Sequence, residues 1–295
     1  MRNYVVRRLL LFFPSLLGVS LVIFVLMRLV PGDYAEILVL DAAAEQAEVA
    51  QAEIEKIRHE LGLDKPIPVQ FALWLKDALR GDFGYSFVEQ RPVWEMLRDW
   101  FPRTMELALL TMVLAMLWAV PLGVISAVRQ DTWADYLVRT LSISGLSMPI
   151  FFTGVLILFF LVRFFGWIPP LEFTSPFVDP AENLKQLIWP ALAQAYYISA
   201  PITRLTRSQM LEVIREDYVR TARAKGLWER AVVYRHALGN ALLPVVTFSG
   251  WWGGRLLGGI VVMEIIFAVP GMGSGLISSV NNRDYPAVQA VVFVM

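Results

Sequence analysis

The sequence predicts an all-α membrane protein with six transmembrane helices. Of its 295 residues, 57% are hydrophobic and the mean hydropathy is +0.55, values too apolar for a soluble domain of this length. Several apolar runs approach the ~20 residues that a helix needs to cross a bilayer. Charged residues still make up 18% of the chain, so sizeable parts of it lie outside the bilayer.

The first predicted span runs from Leu9 to Val30. Three arginines precede it, and basic flanks of this kind stay in the cytoplasm. A cleaved signal peptide would have a shorter apolar region and a small-residue cleavage site, and neither is seen. We therefore expect residues 1–30 to form a cytoplasmic N-terminal tip followed by the first transmembrane helix.

Residues 31–101 are polar and acidic, and they are predicted to form an extracytoplasmic helical insertion. One helix is expected over residues 42–61, and an amphipathic one from about Pro68 to Gly81. These helices either lie on the outer membrane surface or form part of a docking platform for an external protein. Surface packing is favoured for most of their residues and docking for a few.

The second span is expected over about residues 107–128, in a helix that starts at Pro102 and is kinked by Pro121. A short inner loop separates it from the third span, which covers roughly residues 137–164 and contains Pro149. An outer loop rich in proline and aromatic residues follows.

The fourth predicted span, Leu187 to Leu205, carries many polar residues. Lipid would make such a helix costly, so it should face protein or water. We place it beside a transport path, with Gln194 and Tyr197 as candidate lining residues. Ordinary hydrogen bonding between helices explains either residue equally well.

A charged segment at residues 218–244 separates the fourth and fifth spans. It is predicted to form two short helices hinged at Gly226, where a left-handed residue ends the first helix. The predicted apolar stripes are Leu211, Ile214, Tyr218 and Ala222 in the first helix, and Leu227, Ala231, Tyr234 and Leu238 in the second. Excess Lys and Arg place the segment on the cytoplasmic side. Docking to a partner protein is favoured over passive attachment to anionic lipid.

The fifth predicted span covers residues 241–268. Its small-residue face consists of glycines four residues apart: Gly250, Gly254 and Gly258. Such a face lets another backbone approach closely, either a helix of this chain or a facing subunit. Arg255 and Glu264 are candidate functional residues, because charge inside a membrane is costly. They are nine residues apart, on roughly opposite helix faces, and should not pair directly.

Residues 269–285 begin with one proline and three glycines and cannot span the bilayer as a regular helix. We expect an outer or re-entrant segment. The sixth span begins near Pro286, and the ten residues from there to Met295 cover about 15 Å as a helix. This is half of the hydrocarbon core, so the span is expected to continue beyond Met295.

Motifs for enzymatic chemistry are absent from the sequence. It contains neither a His-Glu-x-x-His metal motif nor a Gly-x-Ser-x-Gly nucleophile motif, and no Gly-x-x-x-x-Gly-Lys-Ser/Thr phosphate loop. The chain has no cysteine, which excludes thiolate metal sites. Its formal net charge of zero argues against a nucleic-acid partner. We expect no catalytic residue and no metal ligand.

The 218–244 segment resembles the cytoplasmic EAA loop of permease subunits in bacterial ABC importers. Its triplet position reads Arg220-Thr221-Ala222, with Gly226 and Leu238 at the later positions of the motif. Two departures are that Arg220 replaces the family's Glu and that Gly239 stands at the Pro position. Both departures, with the run YVRTARAKG, are similar to the B-type subunit of the dipeptide/oligopeptide branch.

A second resemblance lies in the outer segment. The family signature Glu-x-x-Phe-x-x-Pro-Gly-x-Gly has its counterpart in Glu264, Phe267, Pro270, Gly271 and Gly273, followed by Asn282-Arg283-Asp284-Tyr285-Pro286. In the family this segment borders the outer gate. The candidate path or gate residues are then Gln194, Tyr197, Glu264, Pro270, Gly271, Asn282 and Asp284.

This resemblance implies a type I ABC importer permease fold, with a core domain at residues 102–295 and a coupling loop at 208–240. The implied location is the bacterial cytoplasmic (inner) membrane. The implied partners are a second homologous permease in a heterodimer, two ATPase subunits and an extracytoplasmic substrate-binding protein. This chain would bind no cofactor, since ATP and Mg are held by the ATPases. The residues implied to couple to the ATPase are Arg220, Thr221, Ala222, Lys225, Gly226, Glu229 and Arg230.

The solute class implied by the resemblance is short peptides, although the same branch includes importers of nickel, glutathione and oligosaccharides. A stand-alone gated channel or an ion-coupled carrier is the alternative function. It would need a charge network inside the membrane, for which Arg255 and Glu264 are the candidates. A membrane-embedded enzyme would need a nucleophile with its base, and the sequence offers no such set.

Overall fold

The computed structural model describes residues 2–29, 64–86, 88–170 and 172–295. These residues are mostly helical. The helices, in chain order, are α1 (Arg2–Leu29), α2 (Ile67–Ala78), α3 (Val93–Val128), α4 (Trp133–Ser147), α5 (Ile150–Phe160), α6 (Pro180–Val213), α7 (Asp217–Ala224), α8 (Glu229–Ala231), α9 (Leu238–Gly259), α10 (Val261–Ile266), α11 (Met272–Asn281) and α12 (Tyr285–Val294). Helices α5 and α8 continue as π-helical segments, Leu161–Phe165 and Val232–Ala237 respectively. The helix predicted over residues 42–61 lies outside the described residues.

The chain divides into two compact units, Met1–Phe101 with Gly275–Met295, and Pro102–Ser274. In the first unit α1 packs on α12, where Met27, Tyr285 and Val288 are buried together. The amphipathic helix predicted from Pro68 to Gly81 is confirmed as α2. Its aromatic side chains pack against Phe24 of α1, with ring centroids of Phe24 and Phe71 5.4 Å apart.

The first unit also contains a short antiparallel strand pair, β1 (Tyr85–Ser86) with β2 (Arg91–Pro92). The all-α prediction did not include it. The hairpin closes through Gln90, which adopts a left-handed backbone with φ of 51°. It leads directly into α3.

In the second unit α6 is the central helix, and it contacts α4, α5 and α9. Small side chains make this possible, because four alanines of α6 are 0–2% exposed: Ala191, Ala193, Ala195 and Ala200. Helix α6 begins earlier than predicted, since Asp179 caps it by accepting hydrogen bonds from the backbone N–H groups of Ala181 and Glu182, both at 3.0 Å.

One predicted helix start was wrong, and a second proline bends the chain. Pro102 does not start a helix, because α3 begins at Val93 and runs through it. Burial of Val93, Met96 and Leu97 on one face holds the extra turns together. Pro149, which was predicted within the third span, separates α4 from α5, and these two helices meet at a bend of 102°.

Among the described residues, two helices are long and apolar enough to cross a membrane, Val6–Leu29 and Val93–Val128. The bent pair Trp133–Ser147 and Ile150–Phe165 makes a third if it forms one span. Helix α6 is outside this set although it has 34 residues. Polar side chains along it explain this, as expected for a helix that faces protein or water.

Candidate functional site

The charged segment folds into the two helices that its sequence predicts. Helix α7 ends at Ala224, and Gly226 follows in a left-handed conformation with φ of 77°. The backbone N–H of Gly226 donates to the Arg223 carbonyl at 2.9 Å, and that of Leu227 donates to the Ala222 carbonyl at 3.4 Å. These two bonds form a Schellman motif, which fixes the direction in which the chain leaves α7.

A small core anchors this loop to the ends of the long helices. Val219, Ala222, Val232, Val233 and Ala237 are buried against three residues of α3 and α6: Val124, Ala127 and Met210. The cluster therefore packs the loop against α3 and α6.

The predicted apolar stripes were partly wrong. Tyr218, Leu227 and Tyr234 are 41%, 42% and 59% exposed. In α7 the buried position falls on Val219, one residue later than predicted. In the second helix the backbone passes into a π-helical segment, whose wider turn carries the buried face away from a period of 3.6 residues.

An ion pair bridges the glycine turn. Arg223 Nη2 and Nε lie 2.8 and 3.1 Å from the two carboxylate oxygens of Glu229. Hydrogen bonding by Arg223 lowers the pKa of Glu229 below its usual value. The bridge joins the end of α7 to the start of α8 across the turn at Gly226. Arg223 was not among the predicted coupling residues.

The tip of the loop exposes an aromatic side chain in a charged stretch of the chain. Trp228 is 84% exposed beside the half-exposed Leu227, and Arg220, Lys225 and Arg230 of the same segment are exposed. Sequence reasoning missed Trp228, although an apolar aromatic next to a turn glycine in a charged segment is itself a signal of a binding surface.

The other predicted coupling residues have structural partners. The Thr221 hydroxyl donates to the Asp217 carbonyl at 2.9 Å, and Arg220 lies 3.2 Å from the Asp217 carboxylate. Ala222 is 6% exposed and packs on the chain's own core. The assignment of Ala222 to the coupling residues stays a prediction, and its burial indicates that any such role is exerted through the position of the loop.

A buried carboxylate lies beside the loop at the ends of α3, α4 and α6. Asp135 is fully buried and receives Nε and Nη2 of Arg207 at 2.8 and 2.7 Å. The Ser126 hydroxyl and the backbone N–H of Asp131 also donate to it. The sequence analysis did not pair these residues, because Asp135 and Arg207 are 72 positions apart.

A cavity of about 420 Å³ opens within the second unit beside the break at Met148–Pro149. Gln194, Tyr197, Trp252 and Arg255 line it. The structure thus brings the two predicted path residues of α6 together with the charged residue of α9. Arg255 stacks on the rings of Trp251 and Trp252, 5.0 and 5.8 Å from their centroids.

Glu264 holds the turn that follows α10 through hydrogen bonds. It is fully buried, and it accepts hydrogen bonds from the Thr104 hydroxyl at 2.5 Å and from the Ser274 backbone N–H at 2.9 Å. The Thr104 oxygen in turn accepts from the backbone N–H of Met272 at 2.7 Å. The sequence did not single out Thr104, which lies 160 positions from Glu264.

Two neighbouring residues of the family signature take part in the same hydrogen-bond network. The Pro270 carbonyl accepts from Arg103 Nη1 at 3.2 Å. The backbone N–H of Gly271 donates to the Ser274 hydroxyl oxygen at 2.9 Å. Together these bonds hold residues 269–274 as a folded turn between α10 and α11.

Asp284 and Asn282 belong to the first unit. Asp284 is 1% exposed, accepts a hydrogen bond from the Ser86 hydroxyl and caps α12 through the Ala287 N–H. Asn282 is exposed, and its amide donates to the Ser278 hydroxyl oxygen at 3.3 Å. Both contacts are those of a local structural role, and the assignment of these residues to a path or gate stays a prediction.

The small-residue face of α9 is open within the described part of the chain. A Cβ added at Gly250, Gly254 or Gly258 would meet no atom within 4 Å. Large apolar side chains on the same helix are exposed as well, including Leu243 and Trp251. Within the second unit, therefore, no described helix packs on this glycine face.

Comparison with known proteins assigns this architecture to a family. Residues 119–295 match the binding-protein-dependent transport system inner membrane component family, and residues 1–108 match its N-terminal membrane component. The dipeptide transport system permease protein DppB of Alkalihalophilus pseudofirmus is 36% identical over 315 aligned residues, covering 100% of this chain and 93% of that protein. Glutathione transport system permease proteins GsiC of Pectobacterium atrosepticum and Escherichia coli K12 are 40% and 38% identical, covering 100% of this chain and 92% of each. The chain belongs to the ABC importer permeases of the dipeptide/oligopeptide family, which are membrane subunits of transport systems.

Proposed function

We propose that this chain forms one half of the translocation path for short peptides in an ATP-driven importer, and that its 218–244 loop couples the path to a separate ATPase. The observation that carries the coupling role is the loop tip. There, Trp228 is 84% exposed directly after the Schellman turn that ends α7, in a segment whose exposed residues include Lys225 and Arg230. A rigid aromatic anchor with a charged rim is typical of a protein-docking surface.

The route of coupling follows from how the loop is held. Movement of the docked tip reaches α3 and α6 through the buried cluster around Val219 and Val232. The ion pair between Asp135 and Arg207 carries it to α4. Closure of the ATPase pair around ATP and Mg then tilts these helices and switches access to the path. In this proposal the loop and helices of this chain transmit the movement, and the partner subunits hydrolyse ATP.

The solute class is supported by the relatives. One relative is named for dipeptide transport and two for glutathione transport. Short peptides are the class these names share, since glutathione is itself a small peptide. Nickel and oligosaccharides, which other importers of the branch carry, are the alternative solutes against which short peptides should be tested.

The assembly proposed here has a second homologous permease facing this chain, two ATPase subunits and an extracytoplasmic substrate-binding protein. In the type I permease fold proposed, six spans cross the cytoplasmic membrane with the N-terminus inside. The proposed domains are residues 1–30, an outer insertion at 31–101 and a core at 102–295. The open glycine face of α9 supports a facing subunit.

A stand-alone channel or ion-coupled carrier has less support. Such a protein needs linked charges inside the membrane. Arg255 is stacked on two tryptophans, whereas Glu264 is bonded to Thr104 and Ser274. The two charged residues therefore lie in separate environments.

The coupling role is tested by purifying the tagged chain from its native membrane and identifying the proteins that accompany it. Trp228→Ala combined with Arg220→Glu is expected to remove the ATPase subunits and leave the second permease bound. Trp133→Ala is the matched control, since Trp133 is 75% exposed in the predicted inner loop region but lies outside the 218–244 segment. ATPase subunits retained by the double variant, or recovery of the chain with no ATPase, would contradict the proposal.

A further inference from the structure

We propose that the cavity beside the Met148–Pro149 break is a solute subsite in which Arg255 binds the carboxylate of a peptide. This inference rests on the proposed peptide-import function. It adds that this chain contacts the solute directly, and it names the chemical groups that the site recognises.

The cavity is formed by a break in the backbone. Helix α4 ends at Ser147, Pro149 cannot continue it, and α5 starts at Ile150 without a side-chain cap. Irregular backbone at membrane depth is tolerated where it lines a water-filled cavity or is buried in protein. The positive end of the α5 dipole adds to the preference of this place for negative charge.

Two buried polar atoms at the cavity have no partner in the described residues. Gln194 is 3% exposed, and its carbonyl Oε1 receives no hydrogen bond. The indole Nε1–H of Trp252 donates none. Buried polar groups are almost always satisfied. A peptide carries both kinds of missing partner, N–H donors for the Gln194 carbonyl and C=O acceptors for the Trp252 indole N–H.

Arg255 supplies the charge. Its guanidinium is oriented by two indole rings, and no carboxylate lies within ion-pair distance of it in the described part of the chain. An arginine in a membrane helix faces a partner or a water-filled cavity. The planar guanidinium forms two parallel hydrogen bonds with a carboxylate, and a free peptide carries a carboxylate at its C-terminus.

These groups together define the class of solute. The cavity volume of about 420 Å³ lies within the roughly 300–1,000 Å³ of small-molecule sites. A peptide with a free C-terminus matches all three groups. It offers a carboxylate to Arg255, a C=O to the Trp252 N–H and an N–H to the Gln194 carbonyl. A free metal cation is repelled by Arg255, and a neutral sugar leaves Arg255 unpaired.

The test compares a short peptide with its C-terminal amide in vesicles that hold the complete transport complex. The vesicles contain only phosphatidylcholine and phosphatidylethanolamine, so no anionic headgroup competes for Arg255. Both peptides are supplied as saturated complexes with the binding protein, which removes differences in delivery. Uptake driven by ATP is measured for the wild type, Arg255→Gln, Arg255→Lys and Arg163→Gln.

Arg255→Gln is expected to lower uptake of the free acid about tenfold, the usual effect of losing a charged hydrogen bond, and to leave uptake of the amide unchanged. Uptake of the free acid by Arg255→Lys should lie between that of Arg255→Gln and that of the wild type. Arg163→Gln is the control, because Arg163 also stacks on an aromatic ring, that of Phe164, but lies outside the cavity. Its uptake should match the wild type.

Two results would overturn the subsite. Equal loss for acid and amide would mean that Arg255 pairs with another subunit, and no loss for either would mean that it contacts no solute. Size-exclusion profiles of each complex show that the variants assemble. Failure of the wild-type complex to import either peptide, with its ATPase active, would instead overturn the proposed function and the subsite with it.

Discussion

At the scale of single residues, two buried hydrogen-bonded groups carry out different tasks. Asp135 joins the ends of three helices beside the coupling loop, and Glu264 with Thr104 holds the outer turn. In both cases a carboxylate has several donors, so that its burial cost is offset. Removing one member leaves the others without partners, which is the basis of the first two predictions.

Asp135→Asn is expected to lower the free energy of unfolding by about 3 kcal/mol, because Arg207 is left without its counter-charge in a largely buried position. Thermal unfolding of the purified chain in detergent measures this loss. Asp217→Asn is the control, since that carboxylate is 95% exposed in its ion pair with Arg220 and exposed pairs contribute little. Equal melting temperatures for Asp135→Asn and the wild type would contradict the assigned role.

Thr104→Val keeps the shape of the side chain but removes its hydroxyl. Glu264 Oε1 then loses its donor and the Met272 N–H loses its acceptor, so stability should fall by about 2 kcal/mol. Thr104→Ser retains the hydroxyl and should lose much less. The same unfolding assay measures both variants, and an equal loss for Val and Ser would show that the methyl group, not the hydrogen bonds, matters.

At the scale of elements, the coupling loop depends on the geometry of one glycine. Gly226→Pro forces φ to about −65° where the chain has 77°, and it removes the N–H that bonds to Arg223. We expect the assembled complex to hydrolyse ATP while peptide uptake falls to background. Parallel assays of hydrolysis and uptake in vesicles measure this uncoupling.

Gly226→Asn is the matched control for that variant, since asparagine tolerates the left-handed conformation. A Cβ at this position meets no atom within 4 Å, so a side chain alone should do little. Uptake that stays coupled in Gly226→Pro would show that the fixed exit from α7 is not needed for transmission.

The loop also shows what local sequence patterns can reveal about an element. The helix end at Gly226 was predictable, because left-handed glycine is a local backbone signal. Which face is buried was not, since the anchoring partners Val124 and Met210 are distant in sequence and a π-helical segment alters the period. Gln194 was recognised from its polarity in an apolar span, whereas the cavity it lines depends on the Pro149 break and on α9.

At the scale of the whole molecule, three surfaces of the described chain remain open to something outside it. The loop tip exposes Trp228, the cavity leaves the Gln194 carbonyl without a partner, and the glycine face of α9 has no neighbour. In the proposed complex an ATPase would cover the loop tip, a solute would occupy the cavity and a second permease would pack on the glycine face. A subunit of a larger transport complex is expected to have such surfaces, whereas a stand-alone carrier would cover most of them itself.

The glycine face gives the prediction that separates chain stability from assembly. Gly254→Leu should leave the melting temperature of the isolated chain unchanged, because a Cβ there meets no atom within 4 Å. It should abolish co-purification of the second permease, because a large side chain keeps two backbones apart. Gly123→Ala is the contrasting control, since its methyl group would lie 2.5 Å from Thr206 Cβ and cost about 1–3 kcal/mol within the chain. A stable Gly254→Leu chain that still binds the second permease would place the interface on another helix.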